Sequence, residues 1–391
     1  MDRRIPGGLR SGFACVVIYF FYGIAGVAAV YQLTALAASI ARLPTRPASP
    51  QAATLPEAAA LPGISILKPV RGLDPGFAEA IASHAEQDYP TFEILFGLRD
   101  LSDPAAAAIE RLKTKFPQCR IRLIHATTCA PNAKAGVLMD LARQARYPVW
   151  LVNDGDIRVP ERYLRRVVAP LSAARNGLIT CLYRVQGQTW PARWEGLGIA
   201  TDFAPSVLVA PLVGVSEFGL GATLVFRAAD LARAGGFAAV ADYLADDYQI
   251  GHKIHGLGLR CVLSDVVVET YLAGASWSET WRHQVRWART IRVSKGFGYA
   301  GLPVTQASLW ALIAALIGEW RIAAALVLLR IITGVVAGYG VLRSRDAARL
   351  CWLIPLRDLW GVAVWAVGLF GRTVEWGGQR LRLDGDGRII G

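Results

Sequence analysis

The sequence predicts an α/β domain carried on membrane helices. Three observations point there: short apolar strands alternate with stretches of helical length between residues 63 and 152, an uncharged apolar run stands near the N-terminus, and apolar runs return after residue 301. Strands alternating with helices imply a parallel sheet wound with crossover helices. The 391 residues leave room for one full-sized domain plus membrane segments, at about 100–200 residues per domain. A hydrophobic fraction of 53% is high for a soluble enzyme, and the excess sits at the two ends.

Residues 13–41, Phe13 to Ala41, carry no charge and are long enough to cross a hydrocarbon core of roughly 30 Å. The run is longer than a signal-peptide core and no small-residue cleavage site follows, so it reads as an anchor. Residues 42–62 hold Pro44, Pro47, Pro50, Pro56 and Pro62 among Ala, Ser and Thr, the composition of an extended linker. Residues 63–275 form the sheet domain. Strands are expected at Ile64 to Leu67, Phe92 to Leu98, Ile121 to His125 and Val149 to Val152, with helices between them such as Pro75 to Gln87 and Pro104 to Phe116. The second half is less regular, with strand-like runs at Leu178 to Tyr183, Ala222 to Phe226 and Arg260 to Leu263 and a helix at Asp246 to His255. Residues 276–300 read as an interfacial helix region. Within 301–371 three apolar segments follow, Leu302 to Ile317, Ile322 to Leu342 and Leu350 to Phe370, and 372–391 is a C-terminal tail. The segment carrying Arg357 and Asp358 is open to a re-entrant or interfacial reading.

The formal charge is +12, several arginines flank apolar segments, and no nucleic-acid motif or basic tail is present. A bilayer, not a nucleic acid, is the expected partner. Six cysteines without CxxC or Cys/His spacing indicate neither a zinc site nor a disulfide framework, which suits a reducing compartment.

The strand Val149 to Val152 runs into Asn153-Asp154-Gly155-Asp156, two carboxylates one residue apart at the carboxyl end of a strand, where open α/β sheets bind ligands. Such oxygens suit Mg²⁺ or Mn²⁺ shared with substrate phosphates; a solvated turn is the other reading. Asp100 ends a second strand on the same rim, or caps the helix near Pro104, a role Ser102 or Asp103 fills equally well. Asp246-Asp247 opens a helix, either to complement its dipole or to act as a general base. Trp277, Trp281, Val285 and Ala288 share one helical face, with arginines around it, as on a helix at a membrane surface that also offers Arg286 and Trp287 to a site. His252 and His255 lack a third ligand. Gly219-Leu220-Gly221 lacks the third glycine of a dinucleotide fingerprint, and no phosphate-loop lysine motif exists.

Taken in order, Ile66-Leu67-Lys68-Pro69, Asp88-Tyr89-Pro90, Asp100, Asn132-Ala133-Lys134, Asp154-Gly155-Asp156, Gly235-Gly236-Phe237, Asp242 to Tyr248 and Arg286-Trp287 resemble the ceramide glucosyltransferase family of glycosyltransferases. Thr180 to Arg184 and Trp287 to Thr290 look like its bacterial hopanoid-biosynthesis-associated members. The resemblance covers about residues 63–300. It implies a GT-A (Rossmann-like) catalytic domain with one N-terminal and about three C-terminal transmembrane helices, a UDP-sugar donor carrying glucose or N-acetylglucosamine, and a membrane lipid acceptor such as ceramide or a hopanoid. It implies Asp247 as catalytic base, Asp154 and Asp156 as ligands of a divalent metal, and Asp100, Lys134, Asp154, Arg286, Trp287 and His283 as substrate-binding residues. His283 departs from the family pattern, which has Gln or Arg at the first position of its [Q/R]xxRW signature.

A water-soluble, cytosolic donor places the catalytic domain in the cytoplasm, at the inner membrane of a bacterium. The arginines at 343, 345 and 349 agree with that placement, whereas Arg3, Arg4 and Arg10 favour the opposite N-terminal orientation. A processive polysaccharide synthase and a non-catalytic membrane receptor or transporter component are the rival readings. The first needs more membrane helices to build a channel, and the second leaves the ordered acids and Arg286-Trp287 without a cause.

Overall fold

The computed structural model describes residues 7–43, 61–74, 76–272 and 276–390. The linker expected at 42–62 therefore falls almost entirely outside the described residues, as do Arg3, Arg4 and Pro75.

Seven strands make one sheet: β1 Ile64–Pro69, β2 Phe92–Leu98, β3 Arg120–His125, β4 Val149–Val152, β5 Asn176–Gln186, β6 Leu224–Arg227 and β7 Arg260–Tyr271, in spatial order β3-β2-β1-β4-β6-β5-β7. The first four are parallel, as the alternation of strands and helices predicts. β6 departs from that pattern, running antiparallel to both β4 and β5, while β5 and β7 are parallel to each other. One reversed strand brings the start of β6 to the rim where β4 ends, which matters for the site below. β1 is buried on both faces, Lys68 included, as a central parallel strand requires. Helices Phe77–Ala85 and Pro104–Lys115 cover one face of the sheet; Ala133–Gln144 and Asp246–Gly256 cover the other.

Helix starts are set by local chemistry. Asp103, with Pro104 at the first turn, accepts the amide of Ala105 at 2.9 Å, so it and not Asp100 is the cap. Asn132 caps the next helix through Ala135 N at 3.0 Å, which places Lys134 in that helix's first turn. Ser276 and Glu279 form a reciprocal capping box at the start of the Trp277–Lys295 helix.

Among the described residues three helices are long and apolar enough to cross a membrane: Ile18–Ala41, Trp190–Val213 and Trp320–Val341. Helices Gly298–Thr305 and Ala307–Leu316 meet the same test only as a pair bent by 57°, the geometry of a broken span or a re-entrant loop. The last expected segment is helical over Ile354–Gly368, 15 residues. The helix Trp190–Val213 has no counterpart in the sequence reading, because Arg193, Glu195 and Asp202 interrupt its apolar run. It packs between the sheet and the other apolar helices: Phe203 lies 5.6 Å from Tyr183 of β5, and Ala204, Val207 and Leu208 meet Ala38 and Val341. The Trp277–Lys295 helix also differs from a bare interfacial helix. Its face of Val285 and Ala288 is covered by Val364 of the Ile354–Gly368 helix, and Trp281 packs at 5.0 Å on Trp360.

The tail folds as well. β8 Thr373–Trp376 and β9 Gln379–Arg382 pair across Gly377-Gly378, both at positive φ as a tight hairpin demands. Residues beyond it join the loop before Asp246, with Ile389 N donating to Asp242 O at 2.7 Å and Leu244 N to Gly387 O at 3.3 Å.

Within the apolar helices Arg330 makes two bonds to Asp358, at 2.8 and 2.7 Å, and Ser308 donates to the same carboxylate at 2.5 Å. Both charged side chains are almost fully buried, so each depends on the other. Asp358→Ala should lower unfolding stability of the detergent-solubilised protein by about 3–5 kcal/mol, the usual cost of an orphaned buried charge, and Arg330→Met with Asp358→Leu should recover most of it. Thermal unfolding of the two variants checks this.

Candidate active site

The rim at the carboxyl ends of β1, β2 and β4 carries the predicted acids. Asp154 follows β4, and because β6 is antiparallel its approach, Gly219-Leu220-Gly221, lies directly alongside. A side-chain carbon at Gly221 would stand 3.1 Å from Asp247 Oδ2 and 3.5 Å from Asp154 Oδ2, so both carboxylates face one point. One at Gly219 would stand 2.8 Å from the carbonyl of Asp247. A side chain at Gly219 would collide with Leu224 and the Asp247 backbone, and one at Gly221 would press on the Asp247 carboxylate, which would have to give by a few tenths of an ångström.

Lys134 joins the acids, with Nζ 2.6 Å from Asp154 Oδ1 and 3.6 Å from Asp246 Oδ2. Burial pulls its pKa down, but Asp154, Asp246 and Asp247 together outweigh this and hold it above the ordinary lysine value. Asp247 is pushed up to about 6 by burial and then by Asp246, while Lys134 and the Tyr248 amide oppose the rise. That amide donates to Asp247 Oδ1 at 2.8 Å, leaving Oδ2 to the site. Asp156 accepts from Thr270 Oγ1 on β7, and its pKa is raised by burial and by Asp154.

Beneath Asp154 lies a polar network that the sequence reading missed. Lys68, fully buried on β1, donates to the carbonyl of Asp154 at 3.0 Å, and its Nζ is 3.4 Å from His84 Nε2. Burial draws Lys68 down to about 7 against Asp156 and Asp154. Burial and Lys68 hold His84 at about 3. Asn153 Oδ1 lies 3.1 Å from His84 Nε2, and Asn153 Nδ2 donates to Ala222 O at 2.7 Å, tying β4 to β6 at this level. A buried lysine in an apolar strand was the available signal.

The Trp277–Lys295 helix closes another side. His283 Nδ1 is 2.6 Å from Glu195 Oε1 of the Trp190–Val213 helix, and its ring packs on Trp287 with centroids 4.6 Å apart. Trp287 in turn meets Phe203 at 6.4 Å. Burial lowers the Arg286 pKa, opposed by Glu195, Asp154 and Asp247, so the guanidinium lies within electrostatic reach of the acids. Glu195 was not anticipated; a lone Glu within an apolar run was its only mark. Asp100 sits on the rim after β2 with its carboxylate exposed and bonded to Ser102 N at 2.8 Å and Ser102 Oγ at 2.7 Å, and among the described residues no hydrogen bond or ion pair joins it to the Lys134 cluster. His252 is exposed and stacks on Tyr248.

No trio of His, Cys, Asp or Glu that could hold a metal exists among the described residues. Asp154 and Asp156 still fit a hard divalent cation as a two-carboxylate oxygen site completed by substrate phosphates, the usual form of a Mg²⁺ site.

A mixed seven-stranded sheet with one reversed strand and acids on its rim has the architecture of a GT-A-type domain. The chain belongs to glycosyl transferase family 21, whose model matches residues 20–389. It is 27% identical over 207 residues to ceramide glucosyltransferase 1 of Caenorhabditis elegans, a match covering 52% of this chain and 44% of that protein. It is 26% identical over 171 residues to the ceramide glucosyltransferase of Komagataella phaffii, covering 42% and 31% respectively. The chain thus spans less than half the length of these curated relatives. A solved mannosyltransferase from Pyrobaculum calidifontis, in complex with GDP-Man and Mn²⁺, shares the fold with a TM-score of 0.53 at 18% identity, over 89% of this chain and 96% of that one. Among the described residues its apolar helices are long enough to hold a member of this family in a membrane.

Gly221→Ala should cut kcat by up to about tenfold, because its Cβ would shift the Asp247 carboxylate by a few tenths of an ångström and a full 1 Å misplacement costs about a hundredfold, while the melting temperature stays at the wild-type value. Steady-state kinetics beside a thermal melt reads both.

Proposed function

We propose that the chain transfers glucose or N-acetylglucosamine from a UDP-sugar to the hydroxyl of a membrane lipid, such as ceramide or a hopanoid, by one in-line displacement with inversion. The observation that carries the reading is the continuity between the acids and the apolar helices. Arg286 feels Asp154, Asp247 and Glu195, and Glu195 belongs to the apolar helix that packs on Ala38 and Val341. A reaction centre built against such helices suits an acceptor that stays in the bilayer.

Asp247 takes the proton of the attacking hydroxyl. Its raised pKa, about 6, keeps it a carboxylate near neutrality yet more basic than an ordinary aspartate, which is what a general base needs. Lys134 and Arg286 face the donor's diphosphate, and Trp287 with Phe203 forms the apolar wall beside the acceptor. Asp100, exposed on the rim, binds toward the nucleoside end of the donor. Asp154 and Asp156 would hold Mg²⁺ or Mn²⁺ together with that diphosphate. When bound, the cation offsets charge growing on the leaving UDP. The catalytic domain then lies on the cytosolic side of a bacterial inner membrane, where nucleotide-sugars are made.

The test offers detergent-purified protein UDP-glucose and UDP-N-acetylglucosamine with ceramide, a hopanoid polyol, diacylglycerol or soluble sugars, and identifies products by mass spectrometry. A glycolipid with release of UDP is expected. Glycosylation of soluble sugars alone, or long polymers, would overturn the lipid-acceptor reading.

A further inference from the structure

Away from the acids lies a cavity of about 1080 Å³ with a strongly basic lining. Arg184, Arg193, Arg343, Arg345 and Arg349 border it, against the single carboxylate of Asp346. Two of the five are committed: Arg184 to Glu269, and Arg193 to Asp346 through bonds of 2.8 and 3.0 Å. Arg343, Arg345 and Arg349 are exposed and, among the described residues, have no carboxylate within ion-pair distance. Three of the five arginines thus border the hollow with no acid paired to them among the described residues.

The backbone supports a role for one of these side chains. Arg343 has φ 57°, the only non-glycine at positive φ among the described residues, at the end of the Trp320–Val341 helix where glycine is the unstrained choice. Ser344 N returns to Gly338 O at 2.9 Å, closing the helix end, and Arg184 Nη1 donates to the carbonyl of Arg343 at 3.3 Å. An arginine held where a glycine would relieve strain points to use of its side chain.

The level of the cavity identifies the source of its ligand. Tyr339 and Gly340, in the last turn of the Trp320–Val341 helix, form part of its wall; Arg193 comes from the first turn of Trp190–Val213. A side-chain carbon at Gly340 would meet Leu43 at 2.5 Å, so the end of the N-terminal apolar helix lies there too. Trp190 and Tyr339 are exposed in these same segments, and Arg193 sits 4.9 Å over the Trp190 ring. Exposed aromatics at the ends of apolar helices mark the headgroup layer.

We propose that this cavity binds the phosphate of an anionic membrane phospholipid, seated on Arg343, Arg345 and Arg349 with its acyl chains along the ends of the apolar helices. Planar guanidinium groups match phosphate oxygens in pairs, which a zwitterionic lipid's own ammonium would oppose. The site is separate from the catalytic acids and stands or falls independently of the acceptor proposed above.

Native mass spectrometry of the full chain in detergent, titrated with phosphatidylglycerol or phosphatidylcholine, tests it. Wild-type protein should bind phosphatidylglycerol preferentially. Arg345→Gln with Arg349→Gln should weaken that binding by about twenty-five-fold, at roughly fivefold per interfacial charge, with the thermal melt unchanged; Arg111→Gln, on the distant Pro104–Lys115 helix, should leave it intact. Millimolar inorganic phosphate should not displace the lipid. Equal binding of the two lipids, or affinity unchanged in the double variant, overturns the proposal. Displacement by phosphate alone overturns the lipid source in favour of a free anion.

Discussion

The site rests on one internal cation. Asp154, Asp246 and Asp247 come from two distant parts of the chain, and gathering three carboxylates out of water would ordinarily protonate or separate them. Lys134, fixed in the first turn of a helix capped by Asn132, reaches Asp154 at 2.6 Å and Asp246 at 3.6 Å and makes the cluster tenable. Asn132 also donates from Nδ2 to Tyr243 O at 2.8 Å, so the same cap that sets the lysine's helix ties down the loop leading to Asp246. That loop is held again from outside by Asp242 and Leu244 pairing with the C-terminal tail. The last residues of the chain thereby help to place the acids in its middle.

A second constraint acts from below. Lys68 and Asn153 fix the backbone at Asp154 from within the sheet, and Thr270 fixes Asp156 from β7. The turn that carries the two carboxylates is thus tied to the sheet at both acids. On the membrane side Glu195 and His283 perform a similar service, binding the helix that carries Arg286 and Trp287 to the apolar helix Trp190–Val213.

Much of this was legible in the sequence wherever the signal is local. β2 and β4 match their expected bounds because short apolar runs between turn residues define buried strands, and Asp154-Gly155-Asp156 announces itself by position. The reversed direction of β6 was not legible, since strand direction depends on partners far away in the chain. Gly219 and Gly221 looked like a failed dinucleotide fingerprint, whereas their use is close approach to Asp247, visible only once β6 is placed. The ends of β5 and β7 were underestimated because their later residues, such as Arg184, Glu269 and Thr270, are polar side chains with partners of their own. Trp190–Val213 escaped notice for a related reason: its charged residues have partners inside the protein, as Arg193 has in Asp346 and Glu195 in His283.

The central claim is that Asp247 acts as the base within a cluster held by Lys134, and its most direct test separates donor binding from turnover. With Asp247→Asn, UDP-sugar affinity by calorimetry should stay within about twofold of wild type, while kcat falls by about 10² to 10⁴-fold, the usual worth of a general base. The wild-type kcat/KM should rise with pH through about 6, as Asp247 loses its proton, and the variant should lose that limb. Turnover by Asp247→Asn close to wild type, with the pH limb intact, would remove Asp247 from the reaction and contradict the account.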